Sequence, residues 1–462
     1  MWNYLPLVQV FLGALVFIVP PAAATGGLNG LPVLNGPIPI VPQGDPDMKS
    51  GPGQFVHPGL WHTHDDLERI RVGVEEGKEP YASAFKNFSA SEFSTADYEM
   101  RGPQKILCRG GCNNYTTFTS DVRGAYQNAL MWYITRDQGH WDKAASILDA
   151  WGTNLTDIIG VDTSLLAGLE GDFFVNAAEI MRWEGGWVEQ GAKWMGTSGF
   201  SNQLYWLFAK QSINIGQANY GMASIKALLS FAVYLDDVAL YNYALHAWKN
   251  DPSGGVHGNF QMRTGQGAEI GRDQGHAKDA LAWAAQAARV IQSQGRDVYG
   301  YGDHLLLKAS EYAAKYNLGY DVEYDRNFYR CEAILVNGPW AQPSNISRGI
   351  TAGAFDVSLL YQMITRSLRA GISQSKYLIL VMQIIYYQYV VKRGMKAEYT
   401  TRMKKAIDAV GGEGSGGTDF PGWGDLIWSY PGQGRFDNDN HRTIWGGGKL
   451  GSEGVGNINV RT

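Results

Sequence analysis

The sequence predicts an all-α protein, an (α/α) toroid or incomplete barrel of antiparallel helical hairpins. Three observations lead there. Apolar residues recur at helical spacing over long segments, the segments come in pairs joined by short turns, and runs with strand alternation are sparse. Val122–Thr135 is followed by Arg136-Asp137-Gln138-Gly139 and a second helix over Trp141–Trp151. Tyr220–Leu235 is followed by Asp236-Asp237 and Ala239–Trp248, and Gly275–Gln294 by Gly295-Arg296-Asp297 and Asp303–Tyr316. Turns this short send the second helix back along the first. The second helices share a texture, with Ala144, Ile147, Leu148 and Trp151 in one and Leu240, Tyr243, Ala244, Ala247 and Trp248 in another. This is a loose internal repeat. Stacked hairpins also build an irregular α-solenoid, which periodicity alone does not separate from a toroid.

Residues 1–24 read as a signal peptide: Met1–Gln9 carry no charge, Val10–Val19 are almost all apolar, and Pro20–Ala24 offer small residues for cleavage. The apolar run falls short of the roughly 20 residues that span a bilayer, so no membrane association is expected after cleavage. Residues 25–55 are rich in Gly and Pro without apolar spacing and read as a linker. Order is expected from His57-Pro58-Gly59, where Thr63 and Asp66 form a helix start and Leu67, Ile70 and Val74 continue one face. One domain over residues 56–430 and a Gly-rich tail over 431–462 complete the organisation.

Four Asn-x-Ser/Thr triplets, at Asn87, Asn114, Asn154 and Asn345, fit a secreted, extracellular glycoprotein. Cysteine usage agrees: Cys108-Arg-Gly-Gly-Cys112 can close as a disulfide, leaving Cys331 free. A metal site is the alternative for the close pair, but no second Cys/His pair completes a zinc set. A net charge of -5 argues against a nucleic-acid partner, although a local basic cleft can still take an anionic polymer. With 12% aromatic residues, the chain can fill a large core and line a carbohydrate groove. It is expected to act as a monomer, with no cofactor and no metal.

Chemistry concentrates in three stretches. Gly265-Gln266-Gly267-Ala268-Glu269-Ile270-Gly271-Arg272-Asp273-Gln274-Gly275-His276 packs Glu, Arg, Asp, Gln and His between two hairpins. With a helix starting near Asp273, Arg272 and His276 face one side about a turn apart, placing a cation beside a titratable imidazole. The plainer reading is a helix capped by Asp273 with a buried, hydrogen-bonded His276. Asn214-Ile-Gly-Gln217-Ala-Asn219-Tyr220-Gly221 opens the next helix, where amide and phenol groups can donate to an anion or simply cap. Asn317-Leu-Gly-Tyr320-Asp321-Val-Glu-Tyr324-Asp-Arg326-Asn-Phe-Tyr329-Arg330 is a polar, aromatic loop whose tyrosines move protons or serve as wall.

Taken together, Asn219-Tyr-Gly before an apolar helix, Gly-Gln-x-x-Glu-x-Gly-Arg-Asp-Gln-Gly-His over 265–276, Gly-Arg-Asp-Val-Tyr-Gly over 295–300 and Asn176-Ala-Ala-Glu179-Ile-Met-Arg182 resemble the alginate-lyase superfamily. Within it, the pattern is most similar to the toroid lyases that act on glucuronan and mannuronan, over roughly residues 56–430. The resemblance implies β-elimination on a polyuronate, an anionic polysaccharide. The uronate carboxylate must be neutralised before the neighbouring C5 can release its proton, and an acid must protonate the departing O4. Carried over, Asn219, Arg272 and His276 are the neutralising or orienting groups, with Glu269 behind them. Tyr324 is the expected proton-transfer group, with Tyr329 and Tyr220 in reserve. Gln266 and Asn176 join Glu269, Tyr220 and Tyr329 as substrate-binding residues.

One departure stands out. Relatives run from a segment like Ser347-Arg348-Gly349 quickly into a Tyr-rich helix like 384–390, whereas here Val357–Gln383 intervenes with a composition unlike either side. Val-Ser can be encoded across a GT-AG start and Gln383 by CAG, so this stretch is read as a translated, unspliced intron. Two rival functions remain. A glycoside hydrolase would need two carboxylates across a cleft, from Glu179, Glu269 or Asp273; a non-catalytic polysaccharide-binding protein would need neither. A zinc hydrolase is not supported, because His62-x-His64 is a bare pair without a His-Glu-x-x-His.

Overall fold

Thr63 begins the first helix as expected: its hydroxyl accepts the Asp66 N–H at 3.3 Å while the Asp66 carboxylate accepts the Thr63 N–H at 3.0 Å. In the computed structural model, residues 55–189, 193–194, 197–272, 274–328, 382–409, 412–414 and 419–430 are described. The signal peptide, the linker up to residue 54, Asp273, Tyr329, Cys331, Asn345, the tail, and all of the 357–383 stretch except Met382 and Gln383 lie outside them.

The helices are α1 His64–Glu75, α2 Tyr81–Ser89, α3 Thr116–Thr135, α4 Gln138–Asn154, α5 Thr163–Leu166, α6 Asp172–Trp183, α7 Phe200–Gln203, α8 Lys210–Ser212, α9 Ala218–Tyr234, α10 Val238–Asn250, α11 Val256–Asn259, α12 Gln274–Ser293, α13 Tyr301–Asn317, α14 Met382–Ile385, α15 Glu398–Asp408 and α16 Gly424–Ile427. Strand is confined, among the described residues, to two short pairs. β1 Ile106–Cys108 runs parallel to β2 Asp157–Ile159, and β3 Lys193–Trp194 antiparallel to β4 Thr197–Ser198. The protein is all-α.

All three expected hairpins form, and one device makes each turn. A residue in the left-handed region ends the first helix, and an Asp one or two positions later caps the next stretch of backbone. Arg136 has φ 60° and Asp137 accepts the Gly139 N–H at 2.8 Å. Asp236 has φ 56° and Asp237 accepts the Leu240 N–H at 2.9 Å. Gly295 has φ 87° and Asp297 accepts the Tyr299 N–H at 3.0 Å. The loose repeat in the sequence is this turn.

The first helix of each pair faces inward. Every residue of α9 except Tyr220 is buried, so the helix lies in the middle of the molecule and not on a half-exposed face. α3 and α12 are buried over most of their length. Neighbours run α3–α6–α9–α12, with α4 and α10 behind α3 and α9, and α13 beside α12. From α12 the packing passes through α14 and α16 to α2 and α1, and back to α3. The row therefore curls on itself as a toroid whose closing sector is made of short helices. Its centre holds an ion pair: Lys226 and Asp172, both inaccessible, lie 2.9 Å apart. The Lys226 ammonium sits 5.9 Å from the Trp61 ring centre and 6.0 Å from that of Trp283.

The entry segment is gripped from several sides. Phe55 packs edge-on against Tyr241, and Gln294 bonds both Val56 and Gly59. A Cβ at position 59 would overlap the Val56 carbonyl, so only Gly fits. Asn176 accepts the Trp61 N–H at 3.1 Å and donates to the Asp172 carbonyl at 2.8 Å. Asn176 thus serves the fold here, and the expectation of substrate contact is replaced by this structural role.

His57 stacks on Trp183 and contacts Glu179 at 2.7 Å and Asp236 at 3.2 Å. Burial pulls its pKa down, but the hydrogen bond and charge of Glu179, then those of Asp236, outweigh it and leave the pKa above the usual value. A raised folded-state pKa gives stability that is complete below the unfolded value, about 6.5, and is lost as pH rises through the folded one. His57→Gln is therefore expected to lower Tm more at pH 5.5 than at pH 9, as read by thermal melts at the two pH values.

Candidate active site

A polar cavity of about 260 Å³ opens where the inner helices begin. Arg109, Asn113 and Tyr115 come from the segment entering α3, Asp162 and Leu165 from the start of α5, Asn219 and Tyr220 from the first turn of α9, and His276, Asp279 and Trp283 from α12; Asp419 completes the wall. Inner helices that succeed one another round a toroid run in the same direction, so their N-termini share one rim. The positive ends of several helix dipoles then point toward the same rim, which favours an anion there.

The α9 corner is built by strain. Ala218 holds φ 49°, in the left-handed region, while its N–H donates to the Ser253 carbonyl at 2.9 Å and its carbonyl accepts from Asn259 at 3.3 Å. That corner aims Asn219 and Tyr220 inward. The Asn219 N–H donates to Glu269 at 3.1 Å, while its side-chain oxygen, in a residue 2% exposed, has no hydrogen-bond partner among the described residues. Tyr220 donates to Asp162 at 3.0 Å.

Glu269 does not line the cavity but sits behind Asn219. It is buried and receives Arg272 at 3.1 Å as well as the Asn219 N–H, so one carboxylate links the two motifs. Burial pushes its pKa up against the charge of His276, the Asn219 hydrogen bond and Arg272. Asn219, Tyr220 and His276 thus share one cavity, and Arg272 adjoins it through Glu269 without lining it.

Two expected residues lie elsewhere. Gln266 is inaccessible and spends its amide on the 321–328 loop, donating to the Asp325 carbonyl at 2.8 Å and accepting the Asp325 N–H at 2.7 Å. It shapes a loop, a role that replaces the expected substrate contact. Tyr324 packs in a small apolar cluster with Ile270, Ala277, Tyr312 and Val322 and does not line the cavity. The loop's register relative to α12 decides this, and loop register is not encoded in apolar periodicity.

Sequence reasoning missed Arg109, Tyr115, Asp162, Asp279, Trp283 and Asp419. Arg109 lies inside the Cys108–Cys112 disulfide, which settles the pairing of those cysteines. Asn114 closes the same loop, accepting the Cys108 N–H at 2.7 Å and donating to the Ile106 carbonyl at 2.9 Å. The guanidinium lies 4.5 Å from the Tyr115 ring centre and 3.2 Å from Glu170. Glu170 lies on a π-helical turn, Ala167–Gly171, and accepts the Thr119 hydroxyl at 2.8 Å. Burial pushes its carboxyl up to about 7 against the pull of Arg109. The signal for Arg109 was present in the sequence as a charged residue in a loop closed by two cysteines.

Among the described residues no group of His, Cys, Asp and Glu is arranged to hold a metal ion. His62 is buried against the Tyr126 hydroxyl at 2.7 Å, and His64 faces Glu184 at 2.9 Å, so the pair has separate partners.

No family model and no curated protein matches the sequence. Among solved structures the chain is similar to an alginate lyase from Bacteroides ovatus, with a TM-score of 0.42 and 11% identity over 70% of this chain and 94% of that one. It is also similar to alginate lyase A1-III from Sphingomonas species A1, with a TM-score of 0.45 and 14% identity over 70% of this chain and 93% of that one.

Proposed function

We propose that this protein is a secreted polysaccharide lyase that cleaves a β-1,4-linked polyuronate, alginate or glucuronan, by β-elimination. The observation that carries the reading is the buried Asn219 amide, whose oxygen has no hydrogen-bond partner among the described residues, beside His276 and Arg109 in one polar cavity. Native proteins rarely leave a buried polar atom without a partner, so a ligand is the natural one. A uronate fits: a sugar hydroxyl can donate to the Asn219 oxygen, while its carboxylate accepts from amide N–H, guanidinium and imidazole N–H donors of the same wall.

With that carboxylate held, the C5–H bond breaks, its electrons form the C4–C5 double bond, and the C4–O4 bond breaks. His276 and Tyr220 are the cavity groups placed to take the C5 proton and to return one to O4. Arg272 acts through Glu269, fixing the backbone of Asn219. The disulfide supports an oxidising compartment, and Asn87 and Asn154 are exposed, as glycan acceptors must be.

Alginate, its two homopolymer blocks and glucuronan, incubated with the protein, test the reading. At least one is expected to yield the ultraviolet absorbance of an unsaturated uronate. Asp162, Asp279 and Asp419 on the wall favour a second reading, glycoside hydrolysis, better than the carboxylates first considered. Glu179 is tied to His57 and Gly59, and Glu269 lies behind Asn219. New reducing ends without ultraviolet absorbance would establish hydrolysis and remove elimination.

A further inference from the structure

The elimination mechanism leaves the acidic side of the cavity unused. α12 presents His276, Asp279 and Trp283 to it, positions separated by three and four residues and so on one face of the helix. The Asp279 carboxyl makes no hydrogen bond to any described residue, although it is partly buried on the cavity wall. Asp419 stands on the same wall. Two carboxylates facing a site meant for a third, carried by the substrate, would repel it. We infer that Asp279 binds the substrate in its protonated form, as a carboxylic acid that donates a hydrogen bond to the uronate carboxylate, and that Asp419 is the neighbouring charge that keeps it so. The inference rests on the polyuronate reading and adds a substrate-contacting residue to it.

Physical chemistry favours the assignment from two directions. Burial, and then the Asp419 charge, push the Asp279 pKa well above the usual carboxylate value, against the pull of His276 and Lys278 and with a smaller push from Glu269. Across the cavity it faces Arg109, Asp162 and Tyr220; Arg109 is engaged by Glu170, and Asp162 by Tyr220. An arriving carboxylate adds a further negative charge and strengthens the preference for the neutral acid. A neutral donor also discriminates: it rewards a substrate carboxylate over the hydroxymethyl group of a neutral sugar without a full ion-pair desolvation cost.

The test compares pH profiles of kcat/KM, read by unsaturated product, for wild type, Asp279→Asn and Asp419→Asn. Asparagine keeps an N–H donor and cannot ionise, so Asp279→Asn is expected to stay within about 10-fold of wild type while losing the alkaline fall-off assigned to Asp279. Asp419→Asn removes the neighbouring charge, so that fall-off is expected to move to lower pH by about one unit or more. Asp279→Ala, which has no donor, is expected to lose about 10- to 100-fold. A profile of Asp279→Asn superimposed on wild type overturns the inference. So does a folded but inactive Asp279→Asn, which would mean that the carboxylate itself is needed. If Asp279→Asn does not fold, an unshifted Asp419→Asn profile overturns it alone. Wild type that binds an oligouronate without cleaving it sinks elimination, and the same pH shifts are then read in the binding constant; wild type that neither binds nor cleaves sinks both.

Discussion

His276→Ala is expected to lower turnover on the preferred polyuronate by about 100-fold or more, with Tm changed little. The imidazole stands in the first turn of α12 on the wall shared with Asn219, and its charge is felt by both Glu269 and Asp279. On the proposed mechanism, alanine removes a proton carrier and a donor to the substrate carboxylate while leaving an Ala-rich helix intact. Because both roles matter most once negative charge builds on the sugar, the loss is expected mainly in kcat, with KM moving far less. Initial rates followed by ultraviolet absorbance check this. Near-normal turnover would remove His276 from the chemistry and shift attention to Tyr220.

Lys226→Met is expected to destabilise the fold by about 3 kcal/mol, the second large effect. Methionine matches the length of the lysine stem but leaves Asp172, wholly inaccessible, without its cation. Burial already pushes the Asp172 carboxyl pKa up, with Lys226 as the largest opposing influence, so the variant must either keep an uncompensated charge or take up a proton. The Asn176 amide, 2.8 Å from the Asp172 carbonyl and 3.2 Å from its carboxylate, recovers only part of the loss. Urea denaturation measures the difference. Adding Asp172→Leu to Lys226→Met should restore much of it, since a well-packed apolar pair can equal a buried ion pair. Failure to restore would show that the two residues contribute separately.

The helical hairpins were legible because their information is local. Apolar spacing marks α3, α9 and α12, and Asp137, Asp237 and Asp297 mark the turns. Asn219, Tyr220 and His276 could be nominated because polar residues crowd the starts of helices that are otherwise apolar, and Glu269 because it lies between them. Arg109, Asp162 and Asp419 were not, since their relation to Asn219 exists only after the ring closes; each is 50 or more positions from it in the chain. Gln266 and Asn176 show the converse. Both sit in polar motifs, yet their amides are consumed by Asp325 and Trp61, and a sequence does not reveal whether an amide's partner is a ligand or the backbone.

The left-handed residue and trailing aspartate that reverse each hairpin have a consequence for how such a protein can diversify. Each reversal rests on its own left-handed residue and aspartate, so that rim can keep the superhelical pitch while the other changes. The opposite rim, where the connections between hairpins carry Arg109 and Asp162 and the first helical turns carry Asn219 and His276, has loops that can lengthen, shorten or acquire new side chains at little cost in folding free energy, since loop closure grows only slowly with length. Architecture and cavity lining are assigned to opposite ends of the same helices, and the cavity could be remade by rewriting one end alone.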